Sequence, residues 1–131
     1  MSPAAAAIAR SYLESFATGD PEVIAAHVAP GFVNDHASAL GSRSVGRDEY
    51  LGRLPGFLAS FPGLNYEIKS VIADDDAVAI EYRLIATSDG HPIDIRGVMV
   101  ITVRDALITK RTDYWDALTF LRQTSNTPTP G

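Results

Sequence analysis

Arg111 and Asp113 stand two residues apart, just ahead of Trp115 and Asp116. On a β-strand, residues two apart share a face, so Leu107, Thr109, Arg111, Asp113 and Trp115 are expected to point the same way. Aromatic burial disfavours an ionised carboxylate, whereas a neighbouring guanidinium favours it. A carboxyl group balanced between these influences can exchange protons with a substrate, which makes Asp113 a candidate general acid or base. The same spacing also suits a structural Arg–Asp pair at a sheet edge, and spacing alone does not choose between the two.

A second polar group, Asn34-Asp35-His36, follows the apolar pair Phe32-Val33. Loop residues at the end of an element commonly carry function. Asp35 or His36 could shuttle a proton, and an imidazole titrates closest to neutrality. An Asx turn in an exposed loop is the plainer alternative. Tyr12 shares a helical stripe with Ile8 and Phe16, either as a core tyrosine or as a hydrogen-bond donor to a substrate oxygen. Tyr82 alternates with Ile80 and Leu84 and should point inward, as packing or as pocket lining. Gly97 and Met99 share a strand face with Ile93, Ile95 and Ile101. His27 and His91 read as structural or surface residues.

These groups need elements to hold them. Ile8, Tyr12, Leu13 and Phe16 recur at helical spacing and predict a helix over 3–17, stopped by Gly19. Asp20-Pro21 reads as an N-cap with proline at the first helical position, starting a short helix to about residue 28, which Pro30-Gly31 breaks. Phe32 to His36 reads as a short extended piece. A third helix starts at Gly46-Arg47 and ends at Pro62-Gly63, with Pro55 expected to kink or split it. From residue 64 the period changes to two. Strands are expected over about 64–73, 77–88, 92–104 and 107–117, joined by turns at Ser88-Asp89-Gly90 and Arg104-Asp105-Ala106. Residues 124–131 read as a loose tail, leaving one domain over 1–123. Helices followed by strands are an α+β pattern. Here it predicts a cone-shaped α+β barrel, with three N-terminal helices on a curved antiparallel sheet that encloses a pocket.

Composition removes several function classes. The 131 residues suit one core. With 11 basic against 16 acidic residues and a net charge of −5, neither a nucleic-acid backbone nor an anionic membrane is the expected partner. The chain has no cysteine, so disulfides and thiolate chemistry are out. The three histidines form no metal-binding pattern, and no metal is expected. The first residues do not read as a signal peptide and no apolar run is long enough for a membrane helix, so a cytoplasmic protein is expected.

The chain resembles the SnoaL-like polyketide cyclases of the nuclear transport factor 2-like superfamily. The likeness rests on Tyr12 through Asp20, on Phe32-Val33-Asn34-Asp35-His36, on Gly46, and on Arg96-Gly97-Val98 through Asp113-Tyr114-Trp115-Asp116 to Leu121-Arg122-Gln123. The resemblance implies a homodimer formed through sheet surfaces and a cofactor-independent enzyme. It implies that Asp113 is the acid/base of an aldol-type cyclisation or enolisation on a hydrophobic carbonyl compound, with His36 and Asn34 in the polar corner of the pocket. Asp35 and His36 join Asp113 as expected catalytic residues. Tyr12, Asn34, Tyr82, Gly97, Met99, Arg111 and Trp115 are the expected substrate contacts. Related epoxide hydrolases need an Arg-x-Asp pair on the earlier strand, where Ile80 and Tyr82 are the expected inward residues. Ketosteroid isomerase-like enzymes use a tyrosine and an aspartate that match Tyr12 and Asp35, but their second oxyanion donor falls at Gly97. A non-catalytic binder of the same fold is the alternative from another class.

Overall fold

The computed structural model describes residues 3–38 and 40–125. The first helix, α1 (Pro3–Ser15), runs into a 3-10 turn, Phe16–Thr18. Ala5, Ala9, Tyr12, Leu13 and Phe16 form its buried stripe, three or four residues apart. Gly19 closes it at φ 68°, a left-handed stop. Asp20 accepts from the Glu22 amide and caps α2 (Pro21–Ala25), with Pro21 in the first turn as expected.

The chain then turns extended earlier than the sequence suggests. Strand β1 spans Val28–His36, taking in Pro30-Gly31 through an irregularity between Val28 and Val33. After the short β2 (Arg43–Val45) comes α3 (Arg47–Ser60). It is one helix, so the expected split at Pro55 does not occur. Pro55 lies on the exposed side, where water can serve the carbonyl its missing N–H leaves without a partner. Four longer strands follow: β3 (Asn65–Asp74), β4 (Ala77–Ser88), β5 (His91–Arg104) and β6 (Leu107–Trp115). Two-residue turns join them. Asp89-Gly90 and Asp105-Ala106 both take positive φ at both positions, the geometry that matches the twist of a hairpin.

The sheet order is β2-β1-β6-β5-β4-β3. All neighbours are antiparallel except β1 and β6, which run parallel. The curved sheet is therefore mixed, not purely antiparallel as expected. The long helix between β2 and β3 and the hairpins after it return the chain to β1 from its other side. The core lies between the helices and the inner face, where α1 covers β3 to β6 and α3 covers β1 and β2.

Two expectations at the C-terminal end need correction. Strand parity fails between Leu107 and Arg111, because the register shifts between Thr102 and Val103. Thr109 is the extra residue, so Ile108 is buried in place of Leu107 and Thr109. The strand expected to reach residue 117 ends at Trp115, and Asp116 is not part of it. Asp116 accepts from the Thr119 amide at 3.0 Å and opens a fourth helix, α4 (Ala117–Thr124). Thr124, expected in the tail, closes that helix, and residues 126–131 of the expected tail lie outside the described residues.

Candidate active site

The inner face of the sheet carries the candidate residues in rows set by strand register. Ser44, Asn34 and Arg111 are Cα partners across β2, β1 and β6. Two residues further along, His36, Asp113 and Met99 are partners across β1, β6 and β5. The third row is Trp115, Gly97 and Tyr82. Alternation along each strand brings all three rows to the same side.

Asp113 is 2% exposed and forms part of the floor of a cavity of about 320 Å³. Phe57, Phe61, Tyr66, Tyr82, Leu84, Ile93, Ile95 and Trp115 make most of the cavity wall apolar. Leu40 to Ser42 and Phe120 of α4 complete it. The Asp113 oxygens have separate partners. Tyr82 Oη donates to Oδ1 at 2.5 Å, and Arg111 Nη2 donates to Oδ2 at 2.7 Å. The pair with Arg111 is thus one-point, not a bidentate clamp. Gly97 is what allows the Tyr82 contact. A Cβ on Gly97 would lie 2.4 Å from Tyr82 Oη, so a side chain there would push the hydroxyl off Asp113.

Arg111 is as buried as its partner and holds more than one acceptor. Nη1 donates to Tyr12 Oη at 2.8 Å, and Nη2 also reaches Tyr66 Oη at 3.4 Å. Tyr12 Oη in turn lies 2.5 Å from Tyr50 Oη. Its guanidinium carbon sits 5.7 Å from the centres of the Tyr12 and Phe16 rings, a cation–π arrangement. Burial alone would lower the Arg111 pKa, but Tyr12, Tyr66, Asp113 and Tyr50 outweigh it and hold the charge. The same desolvation raises the Tyr50, Tyr66 and Tyr82 hydroxyls, with Asp113 adding to the effect at Tyr82, so all three stay protonated donors at neutral pH.

His36 Nδ1 lies 3.8 Å from Asp113 Oδ2. Burial, helped by Arg111, lowers the His36 pKa to about 4 against the opposing pull of Asp113 and Asp35, so the ring is neutral at pH 7. Asn34 Nδ2 donates to His36 Nε2 at 3.4 Å. That contact leaves the proton on Nδ1, the nitrogen turned toward Asp113.

The structure gathers Asp113, His36, Tyr82 and Trp115 at the cavity, with Asn34 and Arg111 behind them. It does not bring Asp35 to the cavity: its partners Arg43 and Thr112 belong to the alternate face of the sheet. Tyr12, Met99 and Gly97 do not line the cavity either. Tyr12 accepts a hydrogen bond from Arg111, Met99 is the buried register partner of Asp113 on β5, and Gly97 makes room for Tyr82. Sequence reasoning missed Tyr66, Phe57, Phe120 and Ser44. Phe120 could have been found, because Asp116 standing directly before the apolar residues Ala117, Leu118, Phe120 and Leu121 is a helix-start signal. Among the described residues no cluster of three His, Asp or Glu side chains is placed to hold a metal ion, and no helix is long and apolar enough to cross a membrane.

A curved, mixed six-stranded sheet wrapped by helices matches the nuclear transport factor 2-like α+β fold. The SnoaL-like domain model matches residues 9–111, and the chain belongs to that family. Solved structures agree in fold. A protein with a ketosteroid isomerase-like fold from Catenulispora acidiphila, in complex with trimethylamine, is 21% identical with a TM-score of 0.83, over 94% of this chain and 97% of its own. A proposed polyketide cyclase from Xanthomonas campestris is 24% identical with a TM-score of 0.80, over 93% and 97%. An LEH-like epoxide hydrolase from M. tuberculosis is 21% identical with a TM-score of 0.78, over 92% and 91%. At these identities the likeness speaks for the fold. A comparison with curated proteins gives no match.

Proposed function

We propose that the protein catalyses cofactor-independent acid/base chemistry, an aldol-type cyclisation or enolisation, on a hydrophobic carbonyl compound. One observation carries this reading: the Asp113 carboxylate is buried at the floor of an apolar cavity and holds Arg111 by a single oxygen contact. Asp113 removes a proton from the carbon next to the carbonyl. Tyr82 and Arg111 hold the carboxylate in place, and the neutral Nδ1–H of His36 is available to the oxygen on which charge develops. Trp115 Nε1 is buried without a protein partner and is a further donor at the same cavity. The test is α-proton exchange of an aryl ketone in deuterated water. Asp113→Asn should abolish exchange while ketone binding persists; undiminished exchange removes Asp113 from the base role.

Two relatives' chemistries receive less support. Ile80 and Tyr82 face inward, whereas Arg83 pairs with Asp94 on the outer face, so the second charge pair of an epoxide hydrolase has no counterpart there. Gly97 has no side chain to serve as a second oxyanion donor, and Asp35 is turned to the other face, which weakens the ketosteroid isomerase analogy. Ligand binding without turnover is favoured by one fact: both Asp113 oxygens already accept hydrogen bonds as the counter-ion of Arg111. It predicts tight ketone binding and no exchange in the unaltered protein.

The outer face of the sheet is proposed as a homodimer surface. Ile72, Ile85, Val98, Val100 and Tyr114 are exposed there. The charges among them, Glu67, Glu81 and Asp94 against Lys69, Arg83 and Arg96, are balanced, as a self-complementary contact requires. A monomeric mass by light scattering at micromolar concentration contradicts it.

A further inference from the structure

Strand β5 outlasts one of its neighbours. Its pairing with β6 stops at Gly97 opposite Trp115, while β4 accompanies it to His91. Along an antiparallel strand, alternate residues turn their N–H and C=O to the same side. On the β6 side, the Arg96 carbonyl still accepts from the Asp116 amide at 3.3 Å. Asp94, two residues on, faces the same side where β6 has ended. Gln123 of α4 takes the place a strand residue would hold. Its Oε1 accepts from the Asp94 N–H at 2.8 Å, and its Nε2 donates to the Asp94 C=O at 3.2 Å. A side-chain amide carries both a donor and an acceptor, so it can meet both backbone groups of one residue.

The rest of α4 is held lightly. None of its residues is buried, and Leu118 and Leu121 are 56% and 49% exposed. Phe120 supplies its ring contacts, edge-on to Trp115 at 6.0 Å and to Phe61 at 6.2 Å. All three rings wall the Asp113 cavity. Phe120 and Gln123 stand three residues apart, on one side of the helix. One short element thus meets the sheet through a polar side chain and the cavity through an aromatic one. Elements with few buried contacts and exposed hydrogen bonds open locally at far lower free energy than the whole fold. The partners of Asp113, Tyr82 and Arg111, lie outside α4, so its opening moves Phe120 and leaves the carboxylate in place.

We propose that Gln123 is a positioning residue of the cavity: it latches α4 to the open end of β5, and release of the latch moves Phe120 aside to pass ligand. The inference rests on the reading of the cavity as the substrate site, but it does not require turnover.

Hydrogen exchange and stopped-flow binding of acetophenone, both on the full chain, test it. Trp115 is the only tryptophan and lines the cavity, so its fluorescence reports ligand entry. Gln123→Ala should speed exchange of the Leu121 to Thr124 amides about 10-fold, as expected for the loss of two exposed hydrogen bonds, and leave those of Met99 and Ile101 unchanged. It should raise the association and dissociation rates of acetophenone by a similar factor and hold Kd, because ligand passes one opening in both directions. Leu121→Ala, on the exposed side of α4, should change neither readout. Unchanged α4 exchange in Gln123→Ala overturns the latch. Faster α4 exchange with unchanged binding rates routes the ligand elsewhere and also overturns the proposal. Faster dissociation alone, with Kd weakened, makes α4 a fixed wall, with the same result. Failure of acetophenone to bind the unaltered protein removes the cavity reading and this inference with it. Absence of α-proton exchange with the predicted binding rates intact sinks the acid/base reading alone, so the failures are separable.

Discussion

Two arginine–aspartate pairs sit on opposite faces of one sheet and do opposite things. Outside, Arg83 donates to Asp94 through Nε at 3.0 Å and again through Nη2, with the two side chains 33% and 46% exposed. Their hydrogen bond raises the Arg83 pKa and lowers that of Asp94, so both partners report the pairing. Yet water can replace either partner, and such pairs add little to stability. Inside, the Arg111–Asp113 contact is a single one, but both side chains are almost fully buried. Almost none of the surface of either side chain is open to water. Arg111 depends on Asp113 and on the hydroxyls of Tyr12 and Tyr66, and Asp113 depends on Arg111 and Tyr82. The better geometry is on the outside and the greater consequence is on the inside, because desolvation sets the scale of an electrostatic interaction.

Removing one inner partner should therefore produce the largest effect. Asp113→Ala strands the Arg111 charge and should cost about 3–5 kcal/mol of unfolding free energy in urea denaturation. Replacing both partners, Arg111→Met with Asp113→Leu, should restore most of that loss while leaving no activity, since a buried pair can be exchanged for apolar packing. A single-variant loss no larger than that of the outer pair would erase the contrast and show that water reaches the inner pair.

The next effect in size uses pH. His36 lies against the inner pair, and its pKa falls from 6.5 to about 4 on folding. The unfolded chain thus binds a proton between those values that the folded chain refuses. The His36 contribution to stability is fully present above its unfolded pKa of 6.5 and is lost as the pH drops toward about 4, by about 3 kcal/mol in total. His36→Asn should flatten the slope of unfolding free energy over that window. A slope that persists unchanged assigns the loss to other groups. No inflection near pH 6.5 is expected in the exchange rate, because His36 is already neutral there.

Much of this arrangement was legible in the chain and some was not, for identifiable reasons. Strand alternation placed Arg111, Asp113 and Trp115 on one face and Tyr82 on another inward face, because residues near the sheet centre keep their register. Alternation failed at Leu107 and Thr109, where one extra residue shifts the register, and a bulge leaves no signature in a two-residue period. Asn34-Asp35-His36 was legible as a polar group at the end of a short extended piece, with all three residues expected at the site. On a strand, the same three residues divide, with Asn34 and His36 inside and Asp35 on the other face. The parallel pairing of β1 with β6, which joins His36 to Asp113, links residues too far apart in sequence for any local pattern to show. Arg111 as the shared donor to two tyrosines was hidden for the same reason: Tyr12, Tyr66 and Arg111 come from three separate elements.

The smallest expected effect lies on the outer face. Arg83→Ala should leave the thermal midpoint of dilute protein within measurement error. Arg83 stands in water beside Glu67, which keeps Lys69 as a partner, and Asp94 can turn to solvent. The same variant examined at rising protein concentration sharpens the comparison further. If the outer face closes against a second copy, water leaves it, and Arg83 then faces the same desolvation that makes Arg111 matter. The midpoint of the unaltered protein should rise with concentration, and that of the variant should rise less. Equal slopes would keep the outer pair solvated in every state and would place the dimer contact away from Arg83 and Asp94.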